Sequence, residues 1–432
     1  MRVELIHPPH VNSTDDRLDP PLGLLMIASH LGANGINVGI TDLSGMVVPT
    51  ETGLEGYRKQ VADIPYADIY GITVYITSMK VTEDIIRLCR LKNPKCKIVV
   101  GGAHPSVRPY DFTIADHVVI GNGEEAMVRI AKDEIPITTR FVVGKSPENY
   151  FLFPAYHLIE PLSYHRKIDG KTSLPYLTSR GCPFSCNFCG LSNMHKLGKG
   201  VVHFAEPELV YEQIKRMKEE IGIDRIAFQD DIFTMKLDRL KKILDLIKPL
   251  NIRFRCMGRA GMDTEETYKI LAEAGCDQVS WGIESGSQYI LDRMNKKVTV
   301  QDNKNVIQWA KKYGITSRAF FIIGYPGETK ETLEETKRFI IDADPDQYFA
   351  SNFVPYPGTK CGDYPLGFGI KNVTKDLNQF YQVSKYGTGG MTIDTEWLTK
   401  EQFRELEIEF RTWLNKREFR GNKQDYEVKL HE

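Results

Sequence analysis

The sequence lacks the features that mark several classes of protein. Its longest clearly apolar run, residues 22–28, is far shorter than the roughly 18 residues that a membrane-spanning helix requires. The first residues contain no apolar segment typical of a secretory signal, so we expect a cytoplasmic protein. Lysine plus arginine total 56 and aspartate plus glutamate total 57. This lack of a basic excess disfavours a nucleic-acid partner.

Cysteine is also scarce, with eight residues in a chain of 432. Such a content excludes a small disulfide-stapled scaffold, and in a cytoplasmic protein it favours thiols or metal ligands over disulfides. Three cysteines fall close together, at positions 182, 186 and 189. The other five are scattered and fit buried thiols. The three clustered cysteines are therefore the ones to examine for chemistry.

The first 140 residues alternate strand-like and helix-like patterns. Strands are predicted at 3–6, 37–42, 67–75, 97–100 and 117–120. Helices are predicted between them, for example at 22–31 and 82–91. This alternation predicts an α/β domain of the Rossmann-like (flavodoxin-like) type, with a parallel sheet between helices. Ligands of such sheets bind outside the carboxyl ends of the strands, where this chain has glycine-rich turns at 101–102 and 121–123.

A second alternation begins near residue 173. Six strands are predicted at 174–179, 224–229, 252–257, 277–283, 316–323 and 346–353. Six βα-like units predict a partial (β/α)6 barrel rather than a closed eight-fold barrel. We therefore predict four parts, which are an N-terminal domain at 1–140, a connector at 141–172, the barrel at 173–358 and a small C-terminal extension at 359–432.

The clustered cysteines follow the first predicted barrel strand. The segment reads Gly181-Cys182-Pro-Phe-Ser-Cys186-Asn-Phe188-Cys189-Gly190, with the spacing C-x3-C-x2-C. Zinc sites and ordinary four-cysteine clusters present four protein ligands. Here no fourth cysteine or histidine stands at an obvious spacing, and the nearest histidine is His195. Three thiolates on a four-iron cluster leave one iron open to a small molecule. The alternative is a zinc knuckle.

The C-x3-C-x-aromatic-C pattern, with Phe188 as the aromatic residue, resembles the radical S-adenosylmethionine (SAM) superfamily. The resemblance implies a 4Fe–4S cluster bound by Cys182, Cys186 and Cys189, with SAM at the open iron and Phe188 among the residues that contact SAM. It further implies that an electron donor such as flavodoxin or ferredoxin reduces the cluster, and that SAM cleavage yields a 5′-deoxyadenosyl radical. The cofactors then carry the hard step, while the protein positions the reactants. The sequence identifies no catalytic acid or base.

Several segments at predicted strand ends match the places where this superfamily contacts SAM. Gln229, Asp230 and Asp231 follow the second barrel strand, at the place of the contact with the amino group, although the usual Gly-Gly-Glu is absent. A helix N-cap is the alternative role for these acids. Glu284 ends the fourth strand and is a candidate for the ribose, because a carboxylate accepts both hydroxyl protons.

The fifth predicted strand resembles the adenine-side segment of the superfamily. The candidate residues are Ile322, Gly324 and Tyr325, although a glycine expected before Ile322 is absent. Glu328 fits a structural cap better than a SAM contact. Arg259 and Arg318 are candidates for the SAM carboxylate, with salt bridges at the barrel rim as the alternative.

Joined to such a barrel, the N-terminal turns look like the cobalamin (B12)-binding-domain subfamily of radical SAM proteins. The resemblance covers about residues 1–360. The residues that it assigns to cobalamin are Gly23, Tyr75, Thr77, Ser78, Gly101, Gly102, His104, Gly121, Gly123 and Glu124.

The D-x-H-x-x-G motif, whose histidine binds cobalt in many cobalamin domains, is absent. One interpretation is that cobalamin binds without a protein imidazole, with loop 75–80 facing the corrin ring and the glycine turns admitting the cobalamin tail. The other is a vestigial domain that caps the barrel. His104 is a weaker candidate for a cobalt ligand, and a polar loop residue is its alternative.

If cobalamin binds, the resemblance implies methyl transfer to an unactivated carbon of a small-molecule substrate. The alternative is a radical oxidation, dehydration, ring closure or rearrangement without methyl transfer. A tRNA methylthiotransferase is disfavoured, because the sequence lacks a second three-cysteine cluster and a basic C-terminal RNA domain. A non-catalytic iron–sulfur module is disfavoured by Glu284 and the strand-five segment.

Overall fold

The computed structural model contains two parallel β-sheets, each in its own unit of the chain. The structure describes residues 1–10, 17–45, 64–147, 149–190, 201–376, 379–380, 383–384, 387–388 and 391–417. The two compact units divide between His165 and Arg166, within the segment 141–172. Among the described residues, no helix is both long and apolar enough to cross a bilayer.

The N-terminal unit is built on a six-stranded sheet in which every pair of neighbours is parallel. The strands are β1 (Arg2–His7), β2 (Asn37–Asp42), β3 (Ile69–Thr73), β4 (Lys97–Gly101), β5 (His117–Gly121) and β6 (Phe141–Gly144). Their order in the sheet is β2-β1-β3-β4-β5-β6, which contains the flavodoxin-like order. The predicted flavodoxin-like fold is confirmed. The order reverses between β1 and β3, so the ligand crevice of this topology lies outside the ends of those strands.

Helices cover both faces of this sheet. They are α1 (Leu22–Ala33), α2 (Met79–Lys92), α3 (Ala103–Val107) and α4 (Glu124–Ala131). Neighbouring residues of β1 face opposite cores, because Leu5 packs with α1 and α4 whereas Ile6 packs with α2. A strand buried on both faces needs apolar residues at successive positions, which explains the short continuous apolar runs in this half of the sequence.

In the described part of the second unit, ten strands lie between residue 166 and the end of the last strand of the main sheet. They are β7 (Lys167–Ile168), β8 (Lys171–Thr172), β9 (Leu174–Tyr176), β10 (Ser179–Arg180), β11 (His203–Phe204), β12 (Arg225–Phe228), β13 (Arg253–Met257), β14 (Cys276–Glu284), β15 (Thr316–Ile323) and β16 (Gln347–Asn352). The main sheet is parallel, with the sequential order β9-β12-β13-β14-β15-β16. Six strands that follow one another without closing confirm the partial barrel.

Helices follow these strands along the chain. They are α5 (Pro207–Arg216), which continues as a π-helical turn at Met217–Ile221, then α6 (Leu237–Ile247), α7 (Glu265–Glu273), α8 (Gln288–Arg293), α9 (Val300–Lys312) and α10 (Lys330–Ala343). Threonine side chains start two of them, since Thr299 and Thr329 each accept the amide hydrogen of the residue three positions on. Outward-facing strand residues pack under the helices, as Trp281 does when it donates to the hydroxyl of Tyr268 on α7 at 3.0 Å.

The C-terminal extension contains short elements and one longer helix. They are α11 (Lys360–Asp363), β17 (Ile370–Val373), β18 (Val383–Ser384), β19 (Gly387–Thr388), β20 (Ile393–Thr395) and α12 (Lys400–Asn415). Ile370 and Ile393 pack in one apolar cluster with Ile322 and Tyr325 from the end of β15. The extension therefore packs where the fifth barrel strand ends.

Two glycines of the N-terminal unit make a matched test of this fold. Gly102 has φ +107°, and a Cβ there would lie 2.9 Å from Thr73 Oγ1 and 3.0 Å from the Val74 nitrogen. Gly102→Ala should therefore lower the free energy of unfolding by about 1–3 kcal/mol. Gly23 lies in α1, where an added Cβ would meet no other part of the protein within 4 Å, so Gly23→Ala should raise it by about 0.5–1 kcal/mol. Urea unfolding of both variants checks this, and equal stability for the two would contradict the strained turn.

Candidate functional site

The three cysteines lie in a segment that begins at Thr178, after β9, and returns at Ala205. We call this segment the cysteine loop, and β10 lies near its start. Gly181, with φ +113°, turns the chain directly before Cys182. Cys186 is buried, and Cys182 and Cys189 are half-buried. Burial raises the pKa of the Cys182 thiol, so a positively charged metal centre is needed to hold the thiolate. The predicted neighbour His195 lies outside the described residues.

The two kinds of metal centre predicted for this loop are a 4Fe–4S cluster and, as the alternative, a zinc knuckle. Within the described part of the chain, no three histidine, cysteine or acidic side chains converge closely enough to hold a single ion. Ligands of one zinc ion share its coordination sphere, whereas the thiolates of an iron–sulfur cluster each bind a different iron atom. The preference for a 4Fe–4S cluster over a zinc knuckle rests on the C-x3-C-x2-C spacing of the sequence.

The middle of the cysteine loop is held by the end of α8. The amide of Asn187 donates to the carbonyl of Met294 at 2.9 Å, and its side chain donates to the carbonyl of Arg293 at 2.9 Å. The carbonyl of Asn187 accepts the amide hydrogen of Cys361, in the C-terminal extension, at 3.2 Å. These bonds use Asn187 and leave the cysteine side chains to bind iron.

The acids after β12 accept hydrogen bonds within the protein. Asp230 Oδ1 accepts from the hydroxyls of Thr178 at 2.6 Å and Ser179 at 2.5 Å, and Oδ2 accepts the Thr178 amide at 3.1 Å. Asp231 accepts the Gly181 amide at 3.0 Å. Burial raises the pKa of Asp230 and outweighs these hydrogen bonds. These bonds tie Asp230 to the strand that leads to Cys182, and its contact with SAM stays a prediction.

Gln229 precedes these acids and is more exposed than they are. Its amide donates to the carbonyl of Tyr176 at 2.9 Å, and its side chain is exposed. It remains a predicted SAM contact at the carboxyl end of β12.

Glu284 forms a buried ion pair that the sequence did not suggest. Its Oε1 lies 2.9 Å from Nζ of Lys296, and both side chains are about nine-tenths buried. Glu284 also has φ +67°, a conformation that costs a non-glycine residue energy and often marks a functional position. Lys296 Nζ lies 6.0 Å from the ring centroid of Phe188 on the cysteine loop. The only sequence signal for Lys296 is its place in the turn that follows α8.

The two arginine candidates occupy different places. The Arg259 guanidinium stacks on Phe184 of the cysteine loop, with Cζ 3.6 Å from the ring centroid, and donates to the carbonyl of Lys296. Arg259 therefore lies beside the cysteine loop and Lys296.

Arg318 lies elsewhere, and its contact with SAM stays a prediction. It is the third residue of β15, and its Nε donates to Oε1 of Gln347 at 2.7 Å. Glu284 pairs with Phe321 in the register, so Arg318 lies about 10 Å nearer the amino end of the sheet. That distance removes it from the edge where the cysteine loop leaves the barrel.

The residues predicted from strand five meet beside the cysteine loop. Phe188, Ile322 and Tyr325 share one apolar cluster, and the rings of Phe188 and Tyr325 lie 6.5 Å apart. The Tyr325 hydroxyl donates to the carbonyl of Arg293 at 3.2 Å and lies 3.3 Å from Sγ of Cys361. Ile322 and Tyr325 therefore support the loop.

Glu328 caps the turn that carries Gly324. Its Oε2 accepts the Gly324 amide at 2.7 Å, and its Oε1 accepts the Thr332 hydroxyl at 3.1 Å. Gly324 has φ +78°, so it adopts the left-handed conformation that this turn needs. Burial raises the pKa of Glu328 to about 7. These contacts agree with a structural cap.

In the N-terminal unit, side chains gather at the crevice where the strand order reverses. His7 ends β1, and its Nδ1 lies 2.9 Å from Oδ1 of Asp42, which ends β2. Tyr164 donates its hydroxyl to the same carboxylate. Burial alone would raise the pKa of Asp42, but the hydrogen bond and charge of His7, with the bond from Tyr164, lower it to about 2. The sequence did not single out His7 or Tyr164, since neither belongs to a recognisable motif.

The loop after β3 borders the same crevice. Tyr75 has 41% of its surface exposed, and its ring lies 5.0 Å from that of His10. Ser78 is fully buried, and its hydroxyl accepts the Tyr75 amide at 3.0 Å. Thr77 lies between them and is half-buried. Ser78 thus shapes the loop, and Tyr75 and Thr77 are its accessible predicted residues.

His104, the weaker candidate for a cobalt ligand, is buried beside an aspartate. It is 3% exposed, and its Nε2 lies 3.0 Å from Oδ2 of Asp111. Burial lowers the pKa of His104, and Asp111 only partly opposes this effect. A buried imidazole bonded to a neighbouring carboxylate agrees with a polar loop residue, and the role of cobalt ligand stays the weaker prediction.

The glycine turns are tied together by a serine that the sequence did not indicate. Ser106 donates to the carbonyl of Gly102 at 2.7 Å and accepts the Gly121 amide at 3.0 Å. A Cβ at Gly123 would lie 2.7 Å from Ile27, and one at Gly101 would contact only Val119. Of the remaining predicted residues, Gly23 is exposed on α1 and Glu124 is buried at the start of α4.

The raised pKa of Glu328 predicts a pH dependence of stability. The folded protein holds the proton up to about pH 7, whereas the unfolded chain releases it near 4.5. Stability is therefore greatest below the unfolded pKa and falls as pH rises to about 7, by an amount on the order of 3 kcal/mol. In urea unfolding, the wild type should be less stable at about pH 8 than at about pH 5, and Glu328→Gln should remove this difference. The exposed neighbour Glu331 is the control, and Glu331→Gln should keep the wild-type difference. An unchanged difference in Glu328→Gln would contradict the cap assignment.

The buried pair predicts strong coupling between Glu284 and Lys296. Lys296→Met leaves a buried carboxylate without its cation and should lower the free energy of unfolding by about 3 kcal/mol. The double variant with Glu284→Gln should recover most of that loss. Lys297→Met, at the exposed neighbour, should change stability by less than about 0.5 kcal/mol. A double-mutant cycle by chemical unfolding measures the coupling, and additive effects would refute it.

Comparison with known protein families matches both units. Residues 176–340 match the radical SAM superfamily, and residues 18–131 match the B12 binding domain. A relative from Pyrococcus horikoshii, named uncharacterized methyltransferase PH0819, is 30% identical over 94% of this chain and 90% of its own length. The anaerobic magnesium-protoporphyrin IX monomethyl ester cyclase of Rubrivivax gelatinosus is 26% identical over 83% of this chain and 68% of its own.

A solved structure supports the fold. The radical SAM methyltransferase TsrM from Kitasatospora setae, with cobalamin and an iron–sulfur cluster bound, has a TM-score of 0.64 and 19% identity over 87% of this chain and 79% of its own. These matches confirm the predicted superfamily, subfamily and cofactors. The chain therefore belongs to the cobalamin-dependent radical SAM enzymes, the family that includes its methyltransferase relatives, and its cofactors are a 4Fe–4S cluster, SAM and cobalamin.

Proposed function

We propose that this enzyme methylates an unactivated carbon atom of a small molecule. When bound, the cluster and SAM supply a carbon radical and cobalamin supplies the methyl group. The observation that carries the proposal is the union, in one chain, of a three-cysteine loop at the end of a barrel strand with a B12-binding unit. The 30% identical relative, which matches nearly the whole chain, is named a methyltransferase and supports the same conclusion.

Within the barrel unit, we assign Glu284 and Lys296 to SAM. Both lie at the carboxyl end of the sheet, and Lys296 lies over the ring of Phe188 beside the third cysteine. The carboxylate of Glu284 suits the ribose hydroxyls. The ammonium group of Lys296 suits the carboxylate of SAM and lies near Phe188, whereas Arg318 lies nearer the amino end of the sheet. Arg259 supports both by holding Phe184 and the carbonyl of Lys296.

Within the N-terminal unit, we assign the loop after β3 to the corrin ring. Its residue Tyr75 is exposed at the crevice where ligands of flavodoxin-like sheets bind. The pair formed by His7 and Asp42 holds the ends of β1 and β2 at the same crevice. We expect the turns at Gly101, Gly102, Gly121 and Gly123 to admit the cobalamin tail, because backbone without side chains permits close approach.

A second candidate function is a radical ring closure without methyl transfer. It is favoured by the relative named anaerobic magnesium-protoporphyrin IX monomethyl ester cyclase, which matches 83% of this chain. Both candidates use an external electron donor, for which we propose a flavodoxin or a ferredoxin. They differ in the fate of the methyl group of SAM.

Methyl-deuterated SAM separates the two functions. The anaerobically reconstituted enzyme is incubated with cobalamin, a reductant and a small-molecule extract, and the products are analysed by mass spectrometry. We expect a product that carries the deuterated methyl group, together with S-adenosylhomocysteine and 5′-deoxyadenosine in equal amounts. Formation of 5′-deoxyadenosine without any labelled product would overturn methyl transfer and favour the second candidate.

Cysteine variants test which residues the radical step requires. Cys182→Ala should abolish 5′-deoxyadenosine formation, because it removes a cluster ligand, while cobalamin retention by the N-terminal unit remains. Cys89→Ala is the matched control, since Cys89 is buried in the N-terminal core and should leave SAM cleavage intact. Full SAM cleavage by Cys182→Ala would contradict the ligand assignment.

A further inference from the structure

The cysteine loop has a defined base. It leaves the barrel at Thr178 and returns at Ala205, whose amide donates to the carbonyl of Thr178 at 2.8 Å. Between these residues, β10 and β11 pair antiparallel over only two residues each. Such a short two-stranded ladder has little stability of its own. Other contacts must therefore keep the two ends of the loop together.

The side chain of Arg239 lies across this base. Arg239 is the third residue of α6, and its guanidinium donates to the carbonyl of Thr178 at 2.8 Å. It donates to the carbonyl of Ala205 at 2.8 Å and 3.2 Å as well. One planar fork thus joins the residue where the loop begins to the residue where it ends. A guanidinium suits this task, since its donors are fixed in one plane.

Further contacts orient the guanidinium. Arg239 Cζ lies 5.2 Å from the ring centroid of Phe204 on β11. The hydroxyl of Thr178 accepts from Arg239 at 3.3 Å and donates to Asp230 at 2.6 Å. Asp230 also accepts the amide of Thr178. A continuous network therefore runs from α6 through the base of the loop to the residues after β12.

We propose that Arg239 is a positioning residue of the iron–sulfur site, which clamps the two ends of the cysteine loop so that Cys182, Cys186 and Cys189 stay at the spacing of a 4Fe–4S cluster. Its effect on the cluster passes through Thr178 and Ala205. Outer partners of this kind commonly tune how tightly a metal centre is held. The inference does not depend on which substrate is methylated.

Iron retention tests the clamp. Arg239→Met keeps the apolar stem and removes every donor. After anaerobic reconstitution, iron and sulfide per chain are counted, and the loss of cluster absorbance is followed after addition of a chelator. We expect iron loss roughly tenfold faster than in the wild type, as the removal of a charge-assisted hydrogen bond predicts. The electron paramagnetic resonance signal of the reduced cluster should broaden.

Matched variants separate the clamp from general damage. Lys236 lies 4.2 Å from the same ring of Phe204 but is not bonded to either carbonyl, so Lys236→Met should keep wild-type iron retention. Cobalamin retention should be unchanged in both variants, because it reports the N-terminal unit. If Arg239→Met fails to fold, Arg239→Lys keeps the charge but not the planar fork, and should lose iron faster than the wild type. Wild-type iron loss in a folded Arg239 variant would overturn the proposal, whether or not methyl transfer is observed.

Discussion

In a fully parallel sheet every connection crosses back over one face, and all strands therefore end at the same edge. The barrel unit depends on this constraint. The cysteine loop, the acids after β12, the buried pair at the end of β14 and the capped turn after β15 come from distant parts of the sequence, and each follows the carboxyl end of its strand. The N-terminal sheet obeys the same constraint, with His7, Asp42 and Tyr75 at or just beyond the ends of its first three strands.

A second constraint decides what the charged groups at this edge do. A charge removed from water must be paired or hydrogen-bonded, so each buried charge is either used inside the protein or held ready for a ligand. Asp230 is used, since hydroxyl and amide hydrogens occupy both of its oxygens. Glu284 and Lys296 neutralise each other through one contact, beside the ring of Phe188. Because each member of the pair is held by one contact, a polar ligand could replace that contact without breaking a wider network.

Periodicity predicted much of the architecture because it reflects local packing. The predicted strand 316–323 coincides with β15 (Thr316–Ile323), and the predicted order of six strands became the partial barrel. Residue roles were harder to predict. Charge alone makes Arg318 a candidate, but only the register shows that it lies near the start of its strand. Position alone makes Asp230 and His104 candidates, but only the fold shows their bonds to Thr178 and Asp111.

Lys296 and Arg239 were missed for a related reason. Neither belongs to a motif, and each acts through partners that only the fold brings near: Glu284 for Lys296, and the carbonyls at the base of the cysteine loop for Arg239. A residue that works through backbone groups leaves no spacing pattern, since every residue type offers the same carbonyl. Sequence patterns therefore point to candidate ligands more readily than to the residues that would hold those ligands in place.

A loop with three cysteine ligands needs more hydrogen bonds from the rest of the protein than a loop with four. A loop that supplies all four ligands of a cluster is fixed by the metal at four points, whereas a loop that leaves one iron open for SAM has one anchor fewer. Other bonds must hold the loop in place of a fourth ligand, and they must not bring a side chain that would bind the open iron. Here the replacements are bonds to the loop's backbone and to residues between its ligands: Asp231 binds the Gly181 amide, and Asn187 is tied to Met294 and Cys361. None of these bonds uses a thiol. They therefore hold the loop in place and leave the open coordination position available to SAM.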